Sequence, residues 1–252
     1  MNSETLYAVA DGVATLTLNR PEKRNAWTLT MAHEATHWMR QAEADAEVRV
    51  VLLTGAGGGF CAGADMSLLS SVIEGGVSDA SVGRRAPLPE ISKPVIAAVD
   101  GAAVGLGLAL AAHSDLRIAS ETARFGTAFA QRGLIAEFGL AWMLPRIVGL
   151  GHAKDLLLTA RLIDAAEAHR IGLVSHLMPG SAFHEFAAQL ASSVSPRSTR
   201  IIKAQLAEAA SETLTEAFET SEREMLASLT CDDFKEGVAH FMEKRAPRFT
   251  GR

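Results

Sequence analysis

Residues 50–66, VVLLTGAGGGFCAGADM, set a β-branched, almost wholly apolar run against a string of glycines and alanines that ends at one carboxylate, Asp65. Val48 to Thr54 carries no polar alternation, the pattern of a strand covered on both faces. The glycines and alanines after it have side chains too small to fill space, so something must approach that backbone closely. A second stretch, DGAAVGLGL (100–108), repeats the arrangement after the apolar run in KPVIAAVDG (93–101). In each case a buried strand, a small-residue turn and an apolar helix come in that order. Free N–H groups at a helix start point toward an acceptor. Two such groups converging on one carbonyl oxygen form an oxyanion hole.

Working outward, TLYAVADGVATLTLNR (5–20) alternates about Asp11-Gly12 and predicts a hairpin. Residues 28–44 predict an amphipathic helix, and Ser67 to Ile73 another. Residues 74–90 read as a mobile surface segment, a candidate lid. VGLGLALAAH (104–113) predicts a helix and DLRIAS (115–120) a strand. Residues 138–195 are mostly helical, and beyond Pro196 the chain is helical with charged faces. The division expected is a core over 1–195 and a C-terminal helical region over 196–252. The recurrence of strand, turn and helix argues for stacked βα-type units.

The bulk numbers narrow the functions. With 252 residues, 48% hydrophobic and 21% charged, the chain can bury a sizeable core. A net charge of −5 gives no basic field for nucleic acid or an anionic membrane. An anionic ligand would be met by a few local cations and by backbone N–H groups. Cys61 and Cys231 form no disulfide framework, so a reducing cytoplasm is expected. The first residues, MNSETLYAV, lack a signal-peptide pattern, and no membrane span is expected.

His33-Glu34-Ala35-Thr36-His37 fits H-E-x-x-H, the zinc-protease helix. The adjoining WMRQAE carries no third ligand, and the chain runs directly into the strand VRVVLLTG. The motif therefore reads as the polar face of a helix, and no metal is expected. GAGGGF satisfies neither the phosphate-loop nor the dinucleotide pattern, and no G-x-S-x-G occurs.

Taken together, LNRPEKRNAW (18–27), VVLLTGAGGGFCAGADM, KPVIAAVDGAAVGLGLALAAHSDLRIAS (93–120) and ARFGTAFAQRGLIAEFGLAWMLPRIVG (123–149) resemble the crotonase superfamily, the enoyl-CoA hydratases and isomerases. The resemblance covers essentially the whole chain. It implies an α/β fold, a spiral of ββα units with a C-terminal helical region that packs trimers, often paired into hexamers. It implies an acyl-CoA thioester as substrate, coenzyme A entering as part of that substrate and not as a resident cofactor. By position in the motifs, the oxyanion donors are the N–H groups of Ala64 and Leu106; relatives usually carry Gly at the latter place. The resemblance also sets Ala26, Ala62, Asp65 and Met66 along the coenzyme A path, with Lys23 and Arg24 as cations near its phosphates. Phe129 and Trp142 join the bulky apolar acyl pocket. Phe241 and Lys244 close the adenine end from the chain's own tail or a neighbouring subunit's.

The two glutamates of a standard hydratase fall here at Ala109 and Phe129, neither of which can move a proton. Glu137, in RGLIAEFGLAWMLPR, occupies a position where some relatives carry the acting carboxylate. Its neighbours Leu134, Ile135, Phe138 and Trp142 predict an apolar pocket and a raised pKa. The expected reaction is a Δ3,Δ2-enoyl-CoA isomerisation with Glu137 as sole proton carrier. The alternatives are a hydratase or hydrolase in which Glu137 activates water, and a binder of acyl-CoA without turnover.

Overall fold

A computed structural model describes residues 3–67, 70 and 87–252. Asp11 and Gly12 both take positive φ, 53° and 76°, and close the hairpin of β1 (Thr5–Ala10) and β2 (Val13–Leu18) as foreseen. Thr28 caps α1 (Leu29–Ala44) by accepting from the N–H of Met31, and Met31, Ala35, Met39 and Ala42 form its buried stripe. The remaining elements of the core are β3 (Val50–Gly55), β4 (Val95–Val99), β5 (Ala102–Val104), α2 (Leu106–His113), β6 (Leu116–Ala119) and β7 (Arg124–Gly126). After them come α3 (Leu140–Thr159), β8 (Ile163–Asp164), α4 (Ala165–Arg170), β9 (His176–Leu177) and α5 (Phe183–Ser193). The C-terminal helices are α6 (Pro196–Glu208), α7 (Leu214–Ser228) and α8 (Asp232–Glu243).

A six-stranded sheet runs β1-β2-β3-β4-β6-β9, antiparallel only at β1, and a smaller sheet runs β5-β7-β8. Each turn of the chain gives one strand to the large sheet, one short segment to the small one, and then a helix. β4, β5 and α2 make one such turn; β6, β7 and α3 make the next. Single-residue bridges complete the pattern earlier in the chain. Cys61 pairs with Ala103, which places the stretch after β3 beside β5, and Trp27 pairs with Ala64. The sequence showed units of this kind at the first and second glycine-rich stretches; the structure adds the one formed by β6, β7 and α3.

The alternating sides of the large sheet bury different partners. Val50, Leu52, Ile96 and Ile118 pack under α5 through Phe183, Ala187 and Ala191. Val51, Leu53, Ala97 and Val99 face inward with α1, α2 and Phe125. This two-sided cover is why β3 reads as an unbroken apolar run. Of the helix expected over Ser67–Ile73 and the surface segment 74–90, only Ser67, Ser70 and residues 87–90 lie within the described residues.

Candidate active site

The two glycine-rich stretches meet. Cys61 donates its N–H to the carbonyl of Ala102 at 2.8 Å, and its carbonyl accepts from Val104 N–H at 3.0 Å. Cys61 is level with Ala103, and Ala64 and Leu106 each follow three residues further along their own stretch. Their preceding glycines touch: a Cβ on Gly105 would stand 4.0 Å from Gly63 Cα, and one on Gly63 would stand 3.2 Å from the Val104 carbonyl. Gly63 also takes φ +110°, a conformation L side chains rarely adopt. The neighbouring N–H groups are engaged, Asp65 with Trp27 at 2.9 Å and Gly105 with Gly126 at 2.9 Å. Among the described residues no acceptor takes the N–H of Ala64 or of Leu106. Leu106 opens α2, so its N–H lies at the positive end of the helix.

Close approach at these glycines serves the fold as well as any ligand. A Cβ on Gly107 would lie 2.0 Å from the Cys61 carbonyl. The glycine before the second apolar helix turn is therefore demanded by backbone packing.

Ala26, Ala62 and Asp65 assemble on the same side. Ala62 N–H donates to the Arg24 carbonyl at 3.0 Å, and the Trp27 N–H donates to the Gly63 carbonyl at 2.8 Å. Asp65 is engaged on both oxygens. One accepts from Arg20 Nη1 at 2.9 Å, the other from the N–H and hydroxyl of Ser67 at 3.0 and 2.7 Å. The Ser67 hydrogen bonds first, and then Arg20, lower its pKa to about 2. Arg20 also donates to the Ala26 carbonyl at 2.7 Å and pairs with Glu4. Met66 stands 64% exposed beside it. Lys23 and Arg24 are exposed on the turn beyond Pro21, and their side chains make no hydrogen bond or ion pair among the described residues.

Sequence reasoning passed over Arg20 and Asn25, which build this corner. Asn25 is fully buried with φ 54°. Its side-chain amide donates to the carbonyls of Ala56 and Gly59 at 2.9 and 2.6 Å, and its carbonyl oxygen accepts from Arg20 N–H at 2.8 Å. An Asn shortly after a proline turn is the available signal, since Asn tolerates left-handed backbone.

The positions where a standard hydratase has its glutamates are apolar and closed: Ala109 is 0% exposed and Phe129 5%. Phe129 belongs to the core cluster that includes Leu106 and Leu140. Glu137 is half-buried, and burial raises its pKa. Its surroundings are more open than the sequence suggested. Phe138 packs on the core, but Ile135 is 78% exposed and Trp142 52%. Trp142 lies under the guanidinium of Arg146, 3.7 Å from its ring centroid. Trp142 also lines a cavity of about 650 Å³ with Leu88, Leu110, His113 and Phe138. Its place on the first turn of α3, directed outward, explains why an apolar residue there remains accessible.

Phe241, 77% exposed, and Lys244, at the end of α8, lie in the C-terminal helical region. No hydrogen bond among the described residues links either to the Ala64–Leu106 corner. In H-E-x-x-H, Glu34 accepts from Thr5 N–H and hydroxyl, both at 2.8 Å, and His37 packs edge-on to Trp38. No group of three metal-ligating side chains occurs among the described residues. No described helix is long and apolar enough to cross a membrane.

Unengaged backbone N–H groups on two neighbouring stretches can receive an acceptor such as a carbonyl oxygen. Comparison with known proteins makes this specific. The family model described as enoyl-CoA hydratase/isomerase matches residues 8–252. A 1,2-epoxyphenylacetyl-CoA isomerase of Escherichia coli is 36% identical, with 98% of each chain covered. A probable enoyl-CoA hydratase of Mycobacterium leprae is 37% identical over 95% of each. The crystal structure of a probable enoyl-CoA hydratase/isomerase from Mycobacterium abscessus superposes with a TM-score of 0.91 at 30% identity, covering all of both chains. The chain belongs to the enoyl-CoA hydratase/isomerase family of the crotonase superfamily, and is an acyl-CoA enzyme of that family.

Proposed function

We propose that the chain isomerises an unsaturated acyl-CoA ester, with one carboxylate carrying the proton. The thioester oxygen is received by the N–H groups of Ala64 and Leu106. Glu137 takes a proton from C2 of a 3-enoyl-CoA, and the electron pair delocalises through the C3=C4 bond into the thioester as a dienolate. The same proton is returned at C4, leaving the double bond at C2=C3. Atoms and charge balance with no water consumed. The observation that carries this reading is the half-buried carboxylate at 137, its pKa raised by burial, together with the buried apolar residues at 109 and 129. Two-carboxylate hydration has no second acid at those positions, whereas a one-base shuttle needs none. The isomerase named among the relatives supports the same choice. Loss of one oxyanion donor costs about 3–4 kcal/mol of barrier in other enzymes, so the hole supplies a large share of the rate.

The second reading is water activation by Glu137 to give a 3-hydroxyacyl-CoA, favoured by the relatives named hydratases. The test is a panel of 2-enoyl-, 3-enoyl- and aryl-CoA esters, scored for shifted alkene against new hydroxyl. Shifted alkene that vanishes in Glu137→Gln supports isomerisation; hydroxyl product of similar rate overturns it.

Lys23 and Arg24 are assigned to the coenzyme A phosphates on their exposure and their place beside Ala62. The assembly that goes with this reading is a homotrimer or a pair of trimers, in which Phe241 and Lys244 come from a neighbour. The outward apolar residues Phe218, Met225, Phe241 and Met242 of α7 and α8 support it. Light scattering of the purified chain at three or six times its monomer mass is the expected result, and a monomer overturns it.

A further inference from the structure

We propose that His113 is a positioning residue: from the far end of the helix that supplies the Leu106 donor, it holds the turn that carries Glu137. The inference rests on the reading of Glu137 as the acting acid.

The turn has an unusual backbone. The Leu140 N–H donates to the Glu137 carbonyl at 3.0 Å, closing a four-residue turn. Its central residues, Phe138 and Gly139, have φ 53° and 71°. Two successive left-handed residues are the signature of a type I′ turn, which normally holds Asn, Asp or Gly at the first of them. A phenylalanine there is strained, since a left-handed L residue crowds its own Cβ. Such strain persists only when surrounding contacts over-determine it.

His113 supplies that contact. Its Nε2 lies 2.8 Å from the Phe138 carbonyl. A carbonyl only accepts, so Nε2 carries the proton. Phe138 packs its ring against the core, and α3, which begins immediately after the turn, packs against α2. Phe138, the residue following Glu137, is therefore gripped at its ring and at its carbonyl oxygen.

The base of His113 is itself fixed. Seven of the eight residues of α2 are buried. Its C-terminal end is held by Arg117, a buried guanidinium that donates to the carbonyl of Ala111 at 3.3 Å, to that of the capping Ser114 and, across the core, to that of Leu173. One rigid helix, about 12 Å long at 1.5 Å per residue, thus presents an oxyanion donor at one end and anchors the acid's turn at the other. Positioning of this kind acts on kcat, because a displacement of about 1 Å costs on the order of a hundredfold in rate.

The test uses the full-length protein with 3-hexenoyl-CoA, or the best substrate of the ester panel. His113→Leu removes the donor and keeps bulk. Expected are a fall in kcat of about tenfold to a hundredfold, KM within about threefold, and unchanged melting temperature within a few degrees. His113→Gln and His113→Asn, whose amides donate, should recover most of the lost kcat in at least one case. Unchanged kcat in His113→Leu, or a loss that tracks thermal destabilisation and that neither amide recovers, overturns the inference while leaving Glu137 in place. Full turnover by Glu137→Gln instead overturns the underlying reading.

Discussion

The two donor-bearing loops differ in what holds them. The first, Cys61 to Ser67, is tied by polar side chains: Arg20 and Ser67 on Asp65, and Asn25 on the glycine run before it. The second, Gly101 to Gly107, is fixed by backbone against backbone, with Gly107 on the Cys61 carbonyl and Gly105 on the Gly126 carbonyl. The first loop should therefore answer to charge as well as volume and the second to volume alone, although both present the same chemical group.

The largest effect should come from the volume side. Gly107→Ala places a methyl 2.0 Å from a carbonyl oxygen that cannot move without shifting the bridge to Ala103. A loss of about 3 kcal/mol or more in urea unfolding is expected; an unchanged midpoint would erase the distinction between the loops. Gly63→Val strains φ +110° and crowds the Val104 carbonyl, so turnover should fall at least tenfold with folding largely kept. Wild-type turnover would detach this loop from the chemistry. On the charge side, Arg20→Met leaves Asp65 with Ser67 alone and should cost about 1–2 kcal/mol, with a smaller loss of turnover than Gly63→Val. A loss of turnover as large as that of Gly63→Val would break the ranking. Its pH signature sharpens the comparison. Asp65 is held below its ordinary pKa, so its contribution is present above pH about 4 and disappears as pH falls toward about 2. The Arg20→Met deficit should shrink over that window, while that of Gly107→Ala should not. The smallest effect on stability belongs to Glu137. Burial raises its pKa, so the ionised form weakens the fold at neutral pH. Glu137→Gln should leave stability at pH 7 equal or slightly higher while abolishing isomerisation. Lower stability would mark the carboxylate as structural.

This contrast also explains what the sequence disclosed. The β3 run, the Asp11-Gly12 turn and α1 follow from periodicity and local backbone preference, so they were legible. The inner segments at Trp27 and Cys61 pair through single residues and leave no pattern to read. That the two glycine-rich stretches lie together at Cys61 and Ala103 was legible because both follow buried strands through small residues. The openness around Trp142 was not, because α3 turns its first exposed face outward and only tertiary placement decides which face that is. Arg20 and Asn25 stayed hidden for a related reason: besides each other and Ala26, their partners Asp65, Ala56 and Gly59 lie on segments far along the chain.

Cys61 has one more consequence. Its sulfur sits at 0% exposure beneath α2, and burial pushes the thiol up to about 12. A maleimide or iodoacetamide needs both access and thiolate, so this sulfur becomes modifiable only when the spiral opens. The half-exposed Cys231 at the start of α8 lacks that shield. The molecule thus carries a fast-labelling and a slow-labelling thiol, and the lag between them times the opening of its interior.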